Sequence, residues 1–243
     1  MSLLNVNRIS KHFGGVQAIN RVDFSVGSGE ILGLIGPNGA GKTTLFNLIT
    51  GAIAVDEGTI SFQETSITGL KPHEICRKGI SRTYQIARPF GKMTCMENVC
   101  VALMENHPGL KGESRRESAA ELLAMTGLAG KEEMQGASLN LIDKKRLELA
   151  RALGTSPKLI LLDEVLGGLN SMEMETALTL IKTIRDRYEI TVVWIEHIMG
   201  AIMSVCDRVI VLDQGSLISQ GSPEEVCRDP LVIQAYLGEQ RDA

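Results

Sequence analysis

Apolar positions in this chain come first in short runs and later at helical spacing. Leu3 to Val6, Val16 to Ile19, Val22 to Val26 and Ile31 to Ile35 are brief, aliphatic and β-branched, and turn residues such as Gly14-Gly15 and Gly27-Ser28-Gly29 separate them. That pattern predicts strands. Thr43 to Thr50 starts a helix that Gly51 closes, and Gly58 to Phe62 reads as another strand. From about Arg88 to Ser156 the rhythm changes. Cys95 to Met104, Arg116 to Thr126 and Lys144 to Leu153 carry apolar residues three and four apart, with polar, glycine-containing loops between them. Strand and helix signals then alternate: Leu159 to Leu162, Ser171 to Tyr188, Thr191 to Ile195 and Ile198 to Val205. Arg208 to Leu212 and Leu217 to Gln220 pair around Asp213-Gln214-Gly215-Ser216, a hairpin turn, and Pro223 opens a short helix capped by Ser222. The expected fold is an α/β core, 1–87 and 157–243, with a β-rich N-terminal part, C-terminal helices and a helical insertion at 88–156.

Composition narrows the class. A chain of 243 residues suits one large α/β domain or a core with a subdomain, and 44% hydrophobic with 22% charged residues is ordinary for a soluble globular protein. The formal net charge of −4 argues against non-specific nucleic-acid binding. No apolar run approaches the roughly 20 residues of a membrane span, and Met1 to Val6 lacks the pattern of a signal peptide. Cys76, Cys95, Cys100, Cys206 and Cys227 are scattered without a C-x-x-C pair, as expected of reduced thiols in the cytosol. His12, His73, His107 and His197 show no metal-ligand spacing.

The chemistry begins at Gly36-Pro37-Asn38-Gly39-Ala40-Gly41-Lys42-Thr43. This is G-x-x-x-x-G-K-T between a strand and a helix, a loop that wraps a triphosphate with inward-turned N–H groups. The glycines permit the close approach, Lys42 offers a charge to the β- and γ-phosphates, and the Thr43 hydroxyl can ligate Mg²⁺. Asn38, Gly39, Ala40, Gly41, Lys42, Thr43 and Thr44 are therefore the expected ATP-binding residues. Leu159 to Leu162 ends in Asp163-Glu164, and open α/β sheets place ligands at such strand ends. Asp163 is placed to hold Mg²⁺ and Glu164 to polarise an attacking water. Val192 to Ile195 likewise ends in Glu196-His197, where His197 can reach the γ-phosphate.

Together these residues resemble the nucleotide-binding subunit of ATP-binding cassette (ABC) transporters over nearly the whole chain. The fold this implies is a P-loop NTPase core with an N-terminal antiparallel β subdomain and an inserted helical subdomain that carries the family's signature motif. The resemblance implies further roles. Phe13 falls where an aromatic stacks on adenine. Gln85, in Arg82-Thr83-Tyr84-Gln85, matches the glutamine that contacts Mg²⁺ or the attacking water and relays the nucleotide state to the membrane subunits. Gly168-Leu169-Asn170 matches the loop that crosses the dimer interface, and His197 the switch histidine. Arg82 to Gln85, Met93-Thr94, Glu97-Asn98-Val99, Ile195-Glu196-His197 and Val232 to Gly238 look like the branched-chain amino acid importer subfamily. Cassettes for urea import and lipopolysaccharide export share parts of this pattern. The implied partners are transmembrane permease subunits, a second cassette in a hetero- or homodimer and, indirectly, a solute-binding protein. The implied location is cytoplasmic, peripheral on the inner face of the inner membrane.

One stretch departs from the family. Leu139-Asn140-Leu141-Ile142-Asp143-Lys144 stands where Leu-Ser-Tyr-Gly-Gln precedes the helix Arg146 to Leu153. Ile142 replaces a glycine whose N–H meets the partner's γ-phosphate, and Asp143 adds a negative charge. Two charges about 6 Å apart repel by roughly 3 kcal/mol at an effective dielectric near 20, on the order of a hundredfold in rate. Val165 and Ile198 also replace the usual Pro and Asp. The expectation is an asymmetric heterodimer with one weak composite site; the alternative is a regulatory or structural cassette that hydrolyses little.

Overall fold

The computed structural model describes residues 2–106 and 109–238; His107 and residues 239–243 lie outside the described residues. Two sheets form the frame. In the first, β1 (Ser2–Phe13), β2 (Val16–Gly27), β4 (Glu57–Phe62) and β5 (Thr65–Ser66) are antiparallel in the order β2-β1-β4-β5. In the second, the order is β10-β9-β3-β8-β7-β6. Here β3 (Ile31–Ile35), β6 (Ile80–Arg82), β7 (Leu159–Asp163), β8 (Thr191–Ile195) and β9 (Arg208–Asp213) run parallel, and β10 (Ser216–Gly221) closes one edge antiparallel.

The central strands are continuously apolar because both of their faces are covered. Leu32 and Leu34 of β3 join Leu159, Leu161, Val193, Ile195, Ile210 and Leu212 in a core shared with the first sheet and with α1 (Lys42–Ile49). Ile31 and Ile35, with Ile160, Leu162, Val192, Trp194, Val209 and Val211, point the other way. There they meet α6 (Ser171–Tyr188), α7 (Met199–Val205) and the C-terminal α8 (Pro223–Arg228) and α9 (Pro230–Gly238). Each such side chain contributes about 1.5–3 kcal/mol on burial.

A third core belongs to the helices of the insertion: α3 (Cys95–Asn106), α4 (Gly112–Met125) and α5 (Leu141–Gly154) pack through Cys95, Val99, Leu103, Leu123 and Leu147. The remaining helix, α2 (Pro72–Arg77), precedes β6.

Some elements depart from the sequence expectation. The two runs Val16–Ile19 and Val22–Val26 form one strand, because Arg21 takes a positive φ of 46° and the ladder shifts register there rather than breaking. The short α2 and the three-residue β6 lacked enough residues to show a period. The hairpin turn, by contrast, falls on Asp213 to Ser216 as expected, its central residues Gln214 and Gly215 both at positive φ (44° and 78°), as a type I′ turn requires. Among the described residues no helix is long and apolar enough to cross a membrane.

Candidate nucleotide-hydrolysis site

The parallel strands deliver the predicted residues to one edge of the sheet. The phosphate loop follows β3, Asp163-Glu164 ends β7, and Glu196-His197 follows β8, which lies between them. β6, on the far side of β7, leads to Gln85.

The loop's glycines are needed where backbone meets backbone. Gly36 has φ 146°, and a Cβ there would sit 2.0 Å from the Leu212 carbonyl oxygen; at Gly41, φ 102°, it would sit 2.6 Å from that of Ala18. Lys42 is buried and folded back, its Nζ donating to the carbonyls of Gly36 (2.6 Å) and Pro37 (2.8 Å). Thr43 is exposed at the start of α1. The N–H groups of the first turn have no intrahelical acceptors and suit an anion.

The three expected catalytic residues touch one another. Glu164 Oε2 accepts from Gln85 Nε2 at 2.6 Å, and Glu164 Oε1 lies 2.8 Å from His197 Nε2. Glu164 itself takes a positive φ of 49°, and its N–H is tied to the Ile195 carbonyl on the neighbouring strand. The strained turn fixes where its carboxylate points. Thr43, Gln85 and Asp163 line one cleft between the core and the inserted helices. A hydroxyl, an amide oxygen and a carboxylate lining one cleft are the kind of hard oxygen donors that Mg²⁺ accepts.

Phe13 is the expected residue with the least support. The residue is 49% exposed at the tip of the β1–β2 hairpin, with Lys11 Nζ 5.7 Å from its ring centroid. Its link to the loop runs through β2, where Ala18 lies against Gly41. An adenine would find the ring open.

Sequence reading missed several residues that hold this site. Arg82, at the end of β6, pairs with Asp163 (Nη2 to Oδ2, 2.8 Å) and with Asn47 Oδ1 of α1 (2.5 Å), both groups of the pair being buried. Its guanidinium lies 5.3 and 4.8 Å from the ring centroids of Phe46 and Tyr84. Glu196 is buried, and burial raises its pKa although the N–H groups of His197 and Leu166 donate to it. It thereby joins the His197 turn to the loop that follows Glu164. Arg82 and Glu196 stand inside quoted motifs, but nothing in the spelling shows which partner each one meets.

The altered signature behaves differently from the expectation. Asn140 caps α5, its Oδ1 accepting from the Asp143 N–H at 2.8 Å. Asp143 is turned inward and 3% exposed, paired to Lys131 and, at 3.5 Å, to Arg146. The negative charge counted against a partner's phosphate is thus paired with two cations inside its own chain, which weakens the expected repulsion. Ile142 is half-buried and lines a recess of about 240 Å³ with Val165 and Leu169. Both substituted side chains pack within their own chain.

The frame and the site define a phosphate-loop nucleoside triphosphatase. The comparisons refine this. Residues 19–167 match the family model "ABC transporter", and residues 216–242 match "Branched-chain amino acid ATP-binding cassette transporter". The "High-affinity branched-chain amino acid transport ATP-binding protein LivG" of Salmonella typhimurium is 39% identical, with 98% of each chain covered. The "Lipopolysaccharide export system ATP-binding protein LptB" of Acidithiobacillus ferridurans is 36% identical, again over 98% of each. The ADP conformation of MJ1267, an ATP-binding cassette of an ABC transporter, superposes with a TM-score of 0.86 at 30% identity, covering 98% of this chain and 99% of that one. The chain belongs to the ABC transporter ATP-binding family. It is an ATPase cassette, and cassettes of this family dimerise and work with transmembrane permeases.

Proposed function

We propose that this chain binds and hydrolyses ATP to power import of branched-chain or related amino acids. The observation that carries the catalytic reading is the Gln85–Glu164–His197 cluster at the same sheet edge as the phosphate loop. Asn38 to Thr44 hold the triphosphate, with Phe13 against the base. Lys42 leaves the loop carbonyls for the β- and γ-phosphates. Thr43, Asp163 and Gln85 hold Mg²⁺, which when bound draws charge from the phosphate oxygens. Arg82 keeps one Asp163 oxygen and leaves the other for the metal. Glu164 takes the proton side of an attacking water, Gln85 positions that carboxylate, and His197 bridges it to the γ-phosphate.

The solute class rests on the match at residues 216–242 and on the LivG relative, whose identity exceeds that of the lipopolysaccharide-export relative. In this reading residues 1–87 and 157–243 are the ATP-binding core and 88–156 the signature subdomain. Gln85 and the inserted helices relay the nucleotide state to the permease, on the cytoplasmic side of the membrane.

The test is Glu164→Gln. It should bind ATP as the wild type does and lose steady-state phosphate release by about a hundredfold or more, the range of a general base. Undiminished turnover removes Glu164 from the reaction. Uptake of labelled leucine into cells lacking the chain tests the solute; normal uptake there overturns it.

A further inference from the structure

The first glycine of the phosphate loop is held from two sides. Its carbonyl accepts from Lys42 Nζ at 2.6 Å, and its N–H donates to the phenolic oxygen of Tyr236, at 2.9 Å, from 200 residues further along the chain. Tyr236 lies on α9, which is anchored by buried Val232 in the outer core. Further support comes from the same end of the chain. The N–H of Gly215, in the β9–β10 turn, donates to the Ala40 carbonyl at 3.0 Å, and the Leu212 carbonyl closes on the α-carbon side of Gly36. The hydroxyl contact is not a by-product of close packing. Beside it α9 stands off from the loop across a recess of about 620 Å³, lined by Asn38, Gly39, Gln214, Leu231 and Gln234.

The two anchors differ in what happens when nucleotide arrives. Under the proposed function, the Lys42 ammonium turns from the loop carbonyls to the phosphates. The Gly36 peptide then loses the restraint on its oxygen and keeps the one on its nitrogen. Gly36 is buried, so its N–H has no water to replace a lost acceptor. We infer that Tyr236 is a positioning residue of the nucleotide site, and that its hydroxyl holds the phosphate loop in its wrapping conformation once Lys42 has let go. The C-terminal hairpin and helix are then part of the binding element rather than an appendage to it.

Tyr236→Phe tests this, because it removes one oxygen and keeps the packing of the ring. Binding of a fluorescent ATP analogue should weaken about five- to tenfold, the worth of one hydrogen bond to a buried group. KM for ATP should rise in proportion while the rate at saturating ATP stays within about twofold, since a loss of uniform binding raises KM alone. Amide exchange across residues 36–41 should quicken. Leu123→Ala, in the separate core of the inserted helices, serves as the stability control: it should lower Tm and leave the affinity alone. Unchanged affinity in Tyr236→Phe, whatever its Tm, overturns the inference, as does an equal loss in Leu123→Ala. Lys42→Ala separates the two levels of argument. If it binds the analogue as tightly as the wild type, the nucleotide-site reading has failed; if it binds poorly while Tyr236→Phe binds normally, only the hydroxyl's role has failed.

Discussion

Glu148 is buried with one carboxylate oxygen uncompensated. It lies on α5 and is 7% exposed; its Oε1 accepts from the Tyr84 N–H at 3.1 Å, and its Oε2 has no partner. Burial pushes its pKa up to about 7, against the opposing pull of the Tyr84 N–H and of Arg151 and Arg82. An acid whose folded pKa lies above its unfolded value favours the fold only while it stays protonated. The unfolded chain ionises near the ordinary 4.5, so stability is fully present below that pH and is lost as pH rises toward 7. The loss amounts to roughly 3 kcal/mol at most. Glu148→Gln keeps an oxygen for Tyr84 and removes the titration. Its stability relative to wild type is expected to climb between pH 5 and about 7.5 in urea melts at stepped pH; a flat difference would show that Glu148 stays ionised. At this scale the sequence was legible where chemistry is spelled by neighbours, as in Gly36 to Thr43 or Asp163-Glu164. It was silent on Arg82, Glu148 and Tyr236, whose partners are 81, 64 and 200 positions away.

Between elements, the tie that matters runs from α5 to the loop after β7. Lys145 Nζ donates to the carbonyls of Glu164 (3.0 Å) and Gly167 (2.9 Å), so a helix of the insertion grips the peptide of the proposed catalytic carboxylate. The same loop ends at Asn170, which caps α6 in a capping box with Glu173. Any rotation of the inserted helices is thereby felt at Glu164. Lys145→Met should cut steady-state hydrolysis about tenfold, given the strength of charge-assisted bonds, with ATP affinity unchanged. Lys145→Arg should recover part of the rate. Equal hydrolysis in Lys145→Met would mean the grip is structural only. Long elements were readable because burial imposes a period: β3, β7 and β8 each place alternate residues in two cores, and α6 shows its period over eighteen residues. The three residues of β6 and the six of α2 had no such length, and the β2 bulge looked like a turn because Asn20-Arg21 interrupts an apolar run.

For the whole molecule, the question is what faces a second copy. The sequence argued for a crippled composite site on two grounds, and the structure weakens both. The Asp143 carboxylate is spent on Lys131 and Arg146, and the Ile142 side chain joins Val165 and Leu169 in the chain's own recess. At the N-terminus of α5, Asn140 uses its oxygen as a cap and keeps its amide for donation. A helix start with a free donor and a neutralised first turn still suits a phosphate. We propose on these grounds that the chain carries both halves of a composite site and that a copy of itself serves as partner. Glu164→Gln, which under the proposed function holds ATP without hydrolysing it, should shift from monomer to dimer on size exclusion when ATP is added, and Lys131→Met in that background should weaken the shift by unpairing Asp143 from one of its two cations. A Glu164→Gln chain that binds ATP yet stays monomeric until a second cassette is supplied would restore the asymmetric heterodimer, and would place its cause in Ile142 rather than in charge.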